Sequence, residues 1–279
     1  MLTGKQSFDQ KESRATEKKR TFGKMEAAAP EVIYSQATAL TQQIRQNALS
    51  GKVDDSLHQD LRKLYLRAAE LGHVPSQAQA AMCLAYAIGG QRDAELHRRY
   101  VDAAAEAGDP AALGMRAENF WFGENGYPID IEKCAADAER SWRADNWLGS
   151  TVYTWALNKK AEGLDSAAAS ELLRLAEEIA VKTVPVIEAE AKEGDAIAQD
   201  WLAWRFYNGE GVAKDAVAAA RWFRMSAEQG LAWAQVWLGL RYLTGDGVEK
   251  DVEQARTWLK KAAAQGIPEA IKELERLGS

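Results

Sequence analysis

The chain has 279 residues, 47% of them hydrophobic and 27% charged, with a formal net charge of −6. That is a globular profile. No run of roughly 18 apolar residues occurs, which excludes a membrane-spanning helix, and no stripe of clustered Lys and Arg occurs, which argues against nucleic acid as a partner.

Residues 1–28 alternate Lys5, Lys11, Arg14, Lys18, Lys19, Arg20 and Lys24 with Asp9, Glu12, Glu17 and Glu26. Only Leu2, Phe8, Phe22 and Met25 are large and apolar there, so this stretch is expected to be a mobile arm. It holds no apolar signal core, which places the chain as written in the cytoplasm, or in the periplasm if a leader was cut away.

Residues 29–279 read as one continuous array of helix pairs. The first pair spans 31–49, with Val32, Ile33, Ala37, Leu40, Ile44 and Leu49 inward, and about 56–71, with Leu57, Leu61, Leu64, Ala68 and Ala69 inward. A second unit runs from His73 to Gly108, with its second helix over Ala94–Ala107. In the third unit Ala112, Ala117, Phe120 and Gly123 mark the first helix. A loop from Gly123 to Asp130 leads to a helix carrying Cys134, Ala138 and Trp142. Across residues 31–144 the repeat is degenerate.

Residues 145–194 form an enlarged unit, 50 residues against 36 elsewhere. Trp147-Leu148-Gly149 starts it in register with Trp237-Leu238-Gly239. A long helix then begins at an Asp165 or Ser166 cap, with Leu172, Leu173, Leu175, Ala176 and Ile179 as its apolar face. Pro185 is expected to kink or break that helix. Such an insertion goes to an edge of a repeat array, where it is either a specificity element or a tolerated extension.

The last two units, 195–230 and 231–266, superimpose at an offset of 36 at every matched position. Gly209 falls on Gly245, Gly211 on Gly247, Asp215 on Asp251, Ala219 on Ala255, Trp222 on Trp258 and Gly230 on Gly266. A period of roughly 20–50 residues marks a stacked repeat array. Gly245 ends one helix and Asp251 caps the next. Ala255, Trp258, Leu259, Ala262 and Ala263 give the second helix its buried face. Residues 267–279 open one more helix with Lys272, Glu273, Glu275 and Arg276 outward, a polar C-terminal cap.

These residues carry a resemblance. Leu238-Gly239-x-x-Tyr242-x-x-Gly245-x-Gly247-Val248-x-x-Asp251, then Ala255-x-x-Trp258-x-x-x-Ala262-Ala263-x-x-Gly266, resembles the Sel-one-like (Sel1-like) repeat, a relative of the tetratricopeptide repeat with a slightly longer unit. The first copy departs at Ala203, where the family prefers Gly, and at Phe206, where it prefers Tyr. The resemblance implies an all-α, right-handed α-solenoid of about six antiparallel helix pairs whose first helices line a concave surface. It also implies a protein-interaction module. Bacterial proteins similar to this family act as adaptors in signalling and envelope pathways and as immunity proteins that neutralise secreted toxins. Some secreted members carry a disulfide in each repeat. Here the two cysteines fall instead at helix-crossing slots, Cys83 on that of Gly239 and Cys134 on that of Ala255, and are expected to be buried, reduced thiols.

No catalytic constellation is legible: no nucleophile elbow, phosphate loop or dinucleotide fingerprint occurs. His58, His73 and His97 share no metal-ligand spacing and are expected on helix surfaces. No cofactor is implied. The remaining signal is aromatic. Trp147, Trp201 and Trp237 each precede an inward Leu (Leu148, Leu202, Leu238). Arg205 and Arg241 follow two of these rings by one helical turn, at cation–π spacing. Trp204 and Trp233 add aromatic area. Trp and Arg dominate interface hot spots, so these seven residues are the expected partner-binding strip. Three functions stay open: a non-enzymatic binder of a protein partner, favoured as an immunity or inhibitor protein against a secreted toxin; an adaptor or assembly scaffold in a signalling or envelope complex; and an enzyme whose site is not recognisable in sequence. A monomer is favoured.

Overall fold

The computed structural model of the protein describes residues 28–278. The arm expected over residues 1–28 lies outside them, save for Ala28. Thirteen α-helices and no strand occur among the described residues. They are α1 (Pro30–Leu49), α2 (Asp55–Glu70), α3 (Val74–Ala85), α4 (Ala94–Glu106), α5 (Pro110–Phe122), α6 (Ile131–Arg143), α7 (Trp147–Ala161), α8 (Ser166–Lys192), α9 (Ala196–Asn208), α10 (Ala216–Glu228), α11 (Ala232–Thr244), α12 (Val252–Ala264) and α13 (Pro268–Arg276). Successive helices pack in pairs, giving six hairpins and a terminal helix.

One local rule starts the second helix of every hairpin. Asp54, Asp93, Asp130, Asp165, Asp215 and Asp251 each stand at the N-cap in extended conformation and accept a backbone N–H from the first turn. Each cap satisfies a donor that the helix itself leaves orphaned.

The Gly-x-Gly turns divide two tasks between two glycines. Gly209 and Gly245 take left-handed conformations, φ 79° and 76°, and end α9 and α11. Gly211 and Gly247 give close approach to the preceding hairpin. A Cβ on Gly211 would stand 2.5 Å from the backbone carbon of Ala180 in α8, and one on Gly247 would stand 2.0 Å from the carbonyl oxygen of Ala216 in α10.

A polar clamp also recurs with the period. Gln229 Nε2 donates to Gln199 Oε1 at 2.7 Å, and Gln265 Nε2 donates to Gln235 Oε1 at 2.9 Å. Gln199 and Gln235 in turn donate to the carbonyls of Ala191 and Ala227, each at the end of the preceding helix.

The core follows the repeat. Trp222 and Trp258 are buried, and Cys83 and Cys134 are buried and unpaired. Burial pushes both thiols up to about 12. Three expectations are corrected. His97 is only 1% exposed: its Nδ1 lies 2.8 Å from the carbonyl of Ala81 and its Nε2 2.9 Å from Asn119 Nδ2. Those partners assign the proton to Nδ1, and desolvation lowers the ring's pKa, which keeps it neutral. Pro185 does not break α8, which runs unbroken to Lys192; Pro185 is on the exposed side, where water can satisfy the carbonyl left without its donor. Val32, Leu49 and Leu173 are exposed, on the outer edges of the apolar faces of α1 and α8.

The array curls far enough for its first third to meet its last third. Arg45 of α1 reaches Asp195, ahead of α9, at 2.5 Å and Glu190 of α8 at 3.1 Å. Ala87, just after α3, is buried with Val236, Leu259, Ala262, Ile267 and Ala270. Arg92, in the next turn, stands 5.9 Å over the Trp233 ring.

Candidate partner-binding site

The curl brings the first helices of hairpins two to six around one pocket of about 500 Å³. Tyr86 closes it from the end of α3, Met115, Glu118, Trp121 and Phe122 from α5, and Trp155 from α7. Asp200, Trp201 and Trp204 come from α9, and Trp233 and Trp237 from α11. Helices alternating along the chain converge here, so the pocket lies on the inside of the curve.

Its walls are two ring clusters. Trp155 stacks on Trp201 at 5.4 Å and meets Trp121 and Phe122, each at 5.8 Å. Trp237 meets Trp204 edge-on at 4.7 Å and stacks with Trp233 at 6.1 Å. Trp121, Trp155, Trp204, Trp233 and Trp237 are half-buried and Phe122 is exposed, so ring faces remain open to a partner.

Between the walls sit two carboxyls. Asp200 is 5% exposed and its Oδ1 has no hydrogen-bond partner among the described residues. Desolvation raises its pKa to about 8, with no neighbouring cation to offset it. Glu118 is also raised to about 8, by burial first and then by the charges of Glu124 and Asp200, while Tyr86 and Arg92 pull it down. The Tyr86 hydroxyl donates to Glu118 at 3.3 Å. Arg92 at the rim is held by Glu124 and Asn125, 3.5 and 3.4 Å away. The Trp201 indole nitrogen is buried and faces the Tyr86 hydroxyl.

Of the seven residues expected to bind a partner, Trp201, Trp204, Trp233 and Trp237 line this pocket. Trp147 backs it, edge-on to Trp201 at 6.2 Å, without lining it. Arg205 and Arg241 do not belong to an exposed strip; they are 1% and 8% exposed. Arg205 donates to Glu210 at 3.2 Å and to Thr151 at 2.8 Å, and Arg241 donates to Asp246 at 2.7 Å. Each guanidinium thus ties down the acidic tip of its own Gly-x-Gly turn. The expected stacking on Trp201 and Trp237 is replaced by that job; Arg241 instead lies 4.0 Å over Tyr207 of the preceding repeat. Trp201 is itself 5% exposed, a packed ring of the pocket wall.

Trp121, Phe122, Trp155, Glu118 and Asp200 also line the pocket and are not among the residues the sequence singles out. For Asp200 a signal existed: the 36-residue overlay puts it on Val236, which is buried, so an acid stands at a core position. A second groove, about 690 Å³, lies where the array closes, but glutamines, glycines and small side chains line much of it and it has no aromatic wall. No cluster able to hold a metal ion occurs among the described residues, and no described helix is long and apolar enough to cross a membrane.

The profile of the Sel1 repeat matches residues 62–73, 74–109, 196–231 and 234–267. No curated protein matches the chain. Among solved structures it is similar to c5321, described as a protective antigen present in uropathogenic Escherichia coli strains and displaying an SLR fold: 22% identity, 80% of this chain and 60% of that one, TM-score 0.34. It is also similar to a Sel1 repeat protein from Oxalobacter formigenes, with 21% identity over 90% of this chain and 94% of that one, TM-score 0.36. The chain therefore spans less than two thirds of the first of these. The unmatched middle contains the enlarged hairpin α7–α8, while the last two matched segments carry the Gly-x-Gly turns and the glutamine clamps. With these four matched segments in its sequence and successive helix hairpins in its fold, this chain carries Sel1 repeats.

Proposed function

We propose that the chain is a non-enzymatic binding protein that takes a protein partner into the aromatic pocket on its inner face. The observation that carries this reading is the convergence of half-buried Trp121, Trp155, Trp204, Trp233 and Trp237, from four different helices, on one open pocket. Such rings supply large apolar area at low entropy cost and are the residue type most enriched at hot spots. Sel1 repeats are in general interaction modules, which fits. The test is affinity capture of the native partner, followed by Trp233→Ala and Trp237→Ala. Each substitution should weaken binding at least tenfold while circular dichroism stays helical. Undiminished binding by both folded variants removes the pocket from the interface.

We further propose that the partner is a secreted effector that this chain neutralises. The acidic balance, −6 overall, supports it by favouring a basic partner. An effector gene beside this one, whose toxicity is relieved by co-expression, is the expected finding. A neighbouring sensor or envelope operon, with no such relief, assigns the adaptor role instead.

A further inference from the structure

Asp200 is a carboxyl in the wrong place for a purely structural role. It is 95% buried by exposure, its Oδ1 is unpartnered, and the equivalent position of the next repeat is Val236. A valine there would satisfy the packing. A buried polar atom left without a partner costs free energy, so its presence on the wall of a pocket points to a ligand that supplies the partner.

The surroundings specify what that ligand carries. The pocket lining holds four acids, Glu118, Glu124, Asp200 and Glu269, against one cation, Arg92, and the neutral ring of His97. Arg92 sits at the rim and is already engaged by Glu124 and Asn125; its charge reaches Glu118 without an ion pair, and Asp200 has no cation beside it. Around these carboxyls stand the faces and edges of Trp121, Trp155, Trp201, Trp233 and Trp237. Aromatic walls around an acidic floor complement an organic cation: the ring quadrupoles attract the charge, the carboxylates neutralise it, and the indole faces pack its alkyl stem. The chain shows the compatibility itself, since the Arg92 guanidinium lies 5.9 Å over Trp233. A hard metal ion, which needs several oxygen donors on one point, is disfavoured because no three acidic or other ligating side chains cluster there among the described residues.

We propose that this pocket receives a basic side chain, arginine or lysine, from the protein partner, with its charged head on Asp200 and Glu118 and its stem between the tryptophans. This rests on the pocket reading above and names the chemistry that the pocket selects. The two carboxyls hold protons that an incoming cation displaces. Binding of the basic group therefore releases protons near neutral pH, since both groups are raised to about 8.

The probes are N-acetyl-arginine amide and N-acetyl-citrulline amide, which share size and hydrogen-bonding shape and differ in charge. Tryptophan fluorescence of the full chain is titrated with each up to on the order of 10 mM, a range suited to a fragment with millimolar affinity. The arginine amide should give a saturable change at least tenfold tighter than the citrulline amide. Asp200→Asn, nearly isosteric, should remove that preference, and Glu118→Gln should reduce it, with thermal unfolding confirming that both variants are folded. Equal response to the two amides, or none to either, overturns the proposal. With the native partner in hand the two readings separate. If Trp237→Ala weakens binding and Asp200→Asn does not, the pocket reading stands and the basic side chain falls. If neither matters, both fall.

Discussion

Arg241 lies 4.0 Å over the ring of Tyr207 and 2.7 Å from Asp246. One guanidinium therefore joins two successive repeats through Tyr207 and pins the turn of its own. Thirty-six residues earlier Arg205 makes the matching bond to Glu210, and Trp155 Nε1 donates to the same carboxylate at 3.2 Å. The recurrence makes this a joint of the array, and the first prediction concerns it.

Arg205→Ala should destabilise the chain by up to ~3 kcal/mol, more than Arg241→Ala, because Arg205 is the more deeply buried and loses Thr151 as well. Arg205→Met, which keeps the stem packing, should recover much of that loss. Urea unfolding of the three variants measures the ranking. Equal midpoints for Arg205→Ala and the unsubstituted chain would show that the joint carries no stability.

Trp258→Ala should unfold the last hairpin, at a cost of ~3–5 kcal/mol for a buried ring. Trp237, half-buried in the pocket wall, should cost less on the same substitution. Amide hydrogen exchange over α11–α13 distinguishes them: protection there should collapse in Trp258→Ala and largely persist in Trp237→Ala.

Stability should fall as pH rises through the neutral range. Asp200 and Glu118 titrate near 8 when folded and near 4 when unfolded. The folded chain thus binds more protons between those values. Their contribution is fully present below pH ~4 and is lost as pH rises through ~8. Glu118 is faced by Tyr86, Arg92, Glu124 and Asp200, and only Arg92 among them is a cation. Melting temperatures at pH 6 and pH 9 should differ less in Asp200→Asn than in the unsubstituted chain, and the variant should be the more stable of the two at pH 9. An unchanged pH slope in Asp200→Asn would show that this carboxyl is not the source.

Cys83 and Cys134 should react with a thiol reagent only on global unfolding. Both are buried, and burial holds both far from the thiolate form at neutral pH. Labelling at the rate of a free thiol in the native protein contradicts this.

The fold was legible because its period was. Gly209 and Gly245, Asp215 and Asp251, Trp222 and Trp258 announce themselves by recurring 36 residues apart. The pocket was legible only by halves. Trp204, Trp233 and Trp237 stand out as rings the repeat does not require. Asp200, Glu118 and Trp155 matter because of which hairpins the curl brings together, and that is a long-range property absent from any one repeat. The arginines misled for a related reason: one-turn spacing from Trp201 to Arg205 is compatible with a stacked pair, but the acid five residues further along the chain, Glu210, is the stronger partner.

The contact of Arg45 with Asp195 spans 150 positions and carries a consequence for how the gene can change. An open solenoid gains or loses a unit by tandem duplication or deletion at little cost, since each unit touches only its neighbours. Here the register of the two meeting surfaces depends on the number of hairpins between them. One added or deleted 36-residue unit would carry Asp195 past Arg45 and Trp233 past Arg92. The number of hairpins between these meeting surfaces is therefore fixed from within, and between them variation must enter by substitution, or by growth within a hairpin such as α7–α8, rather than by copy number.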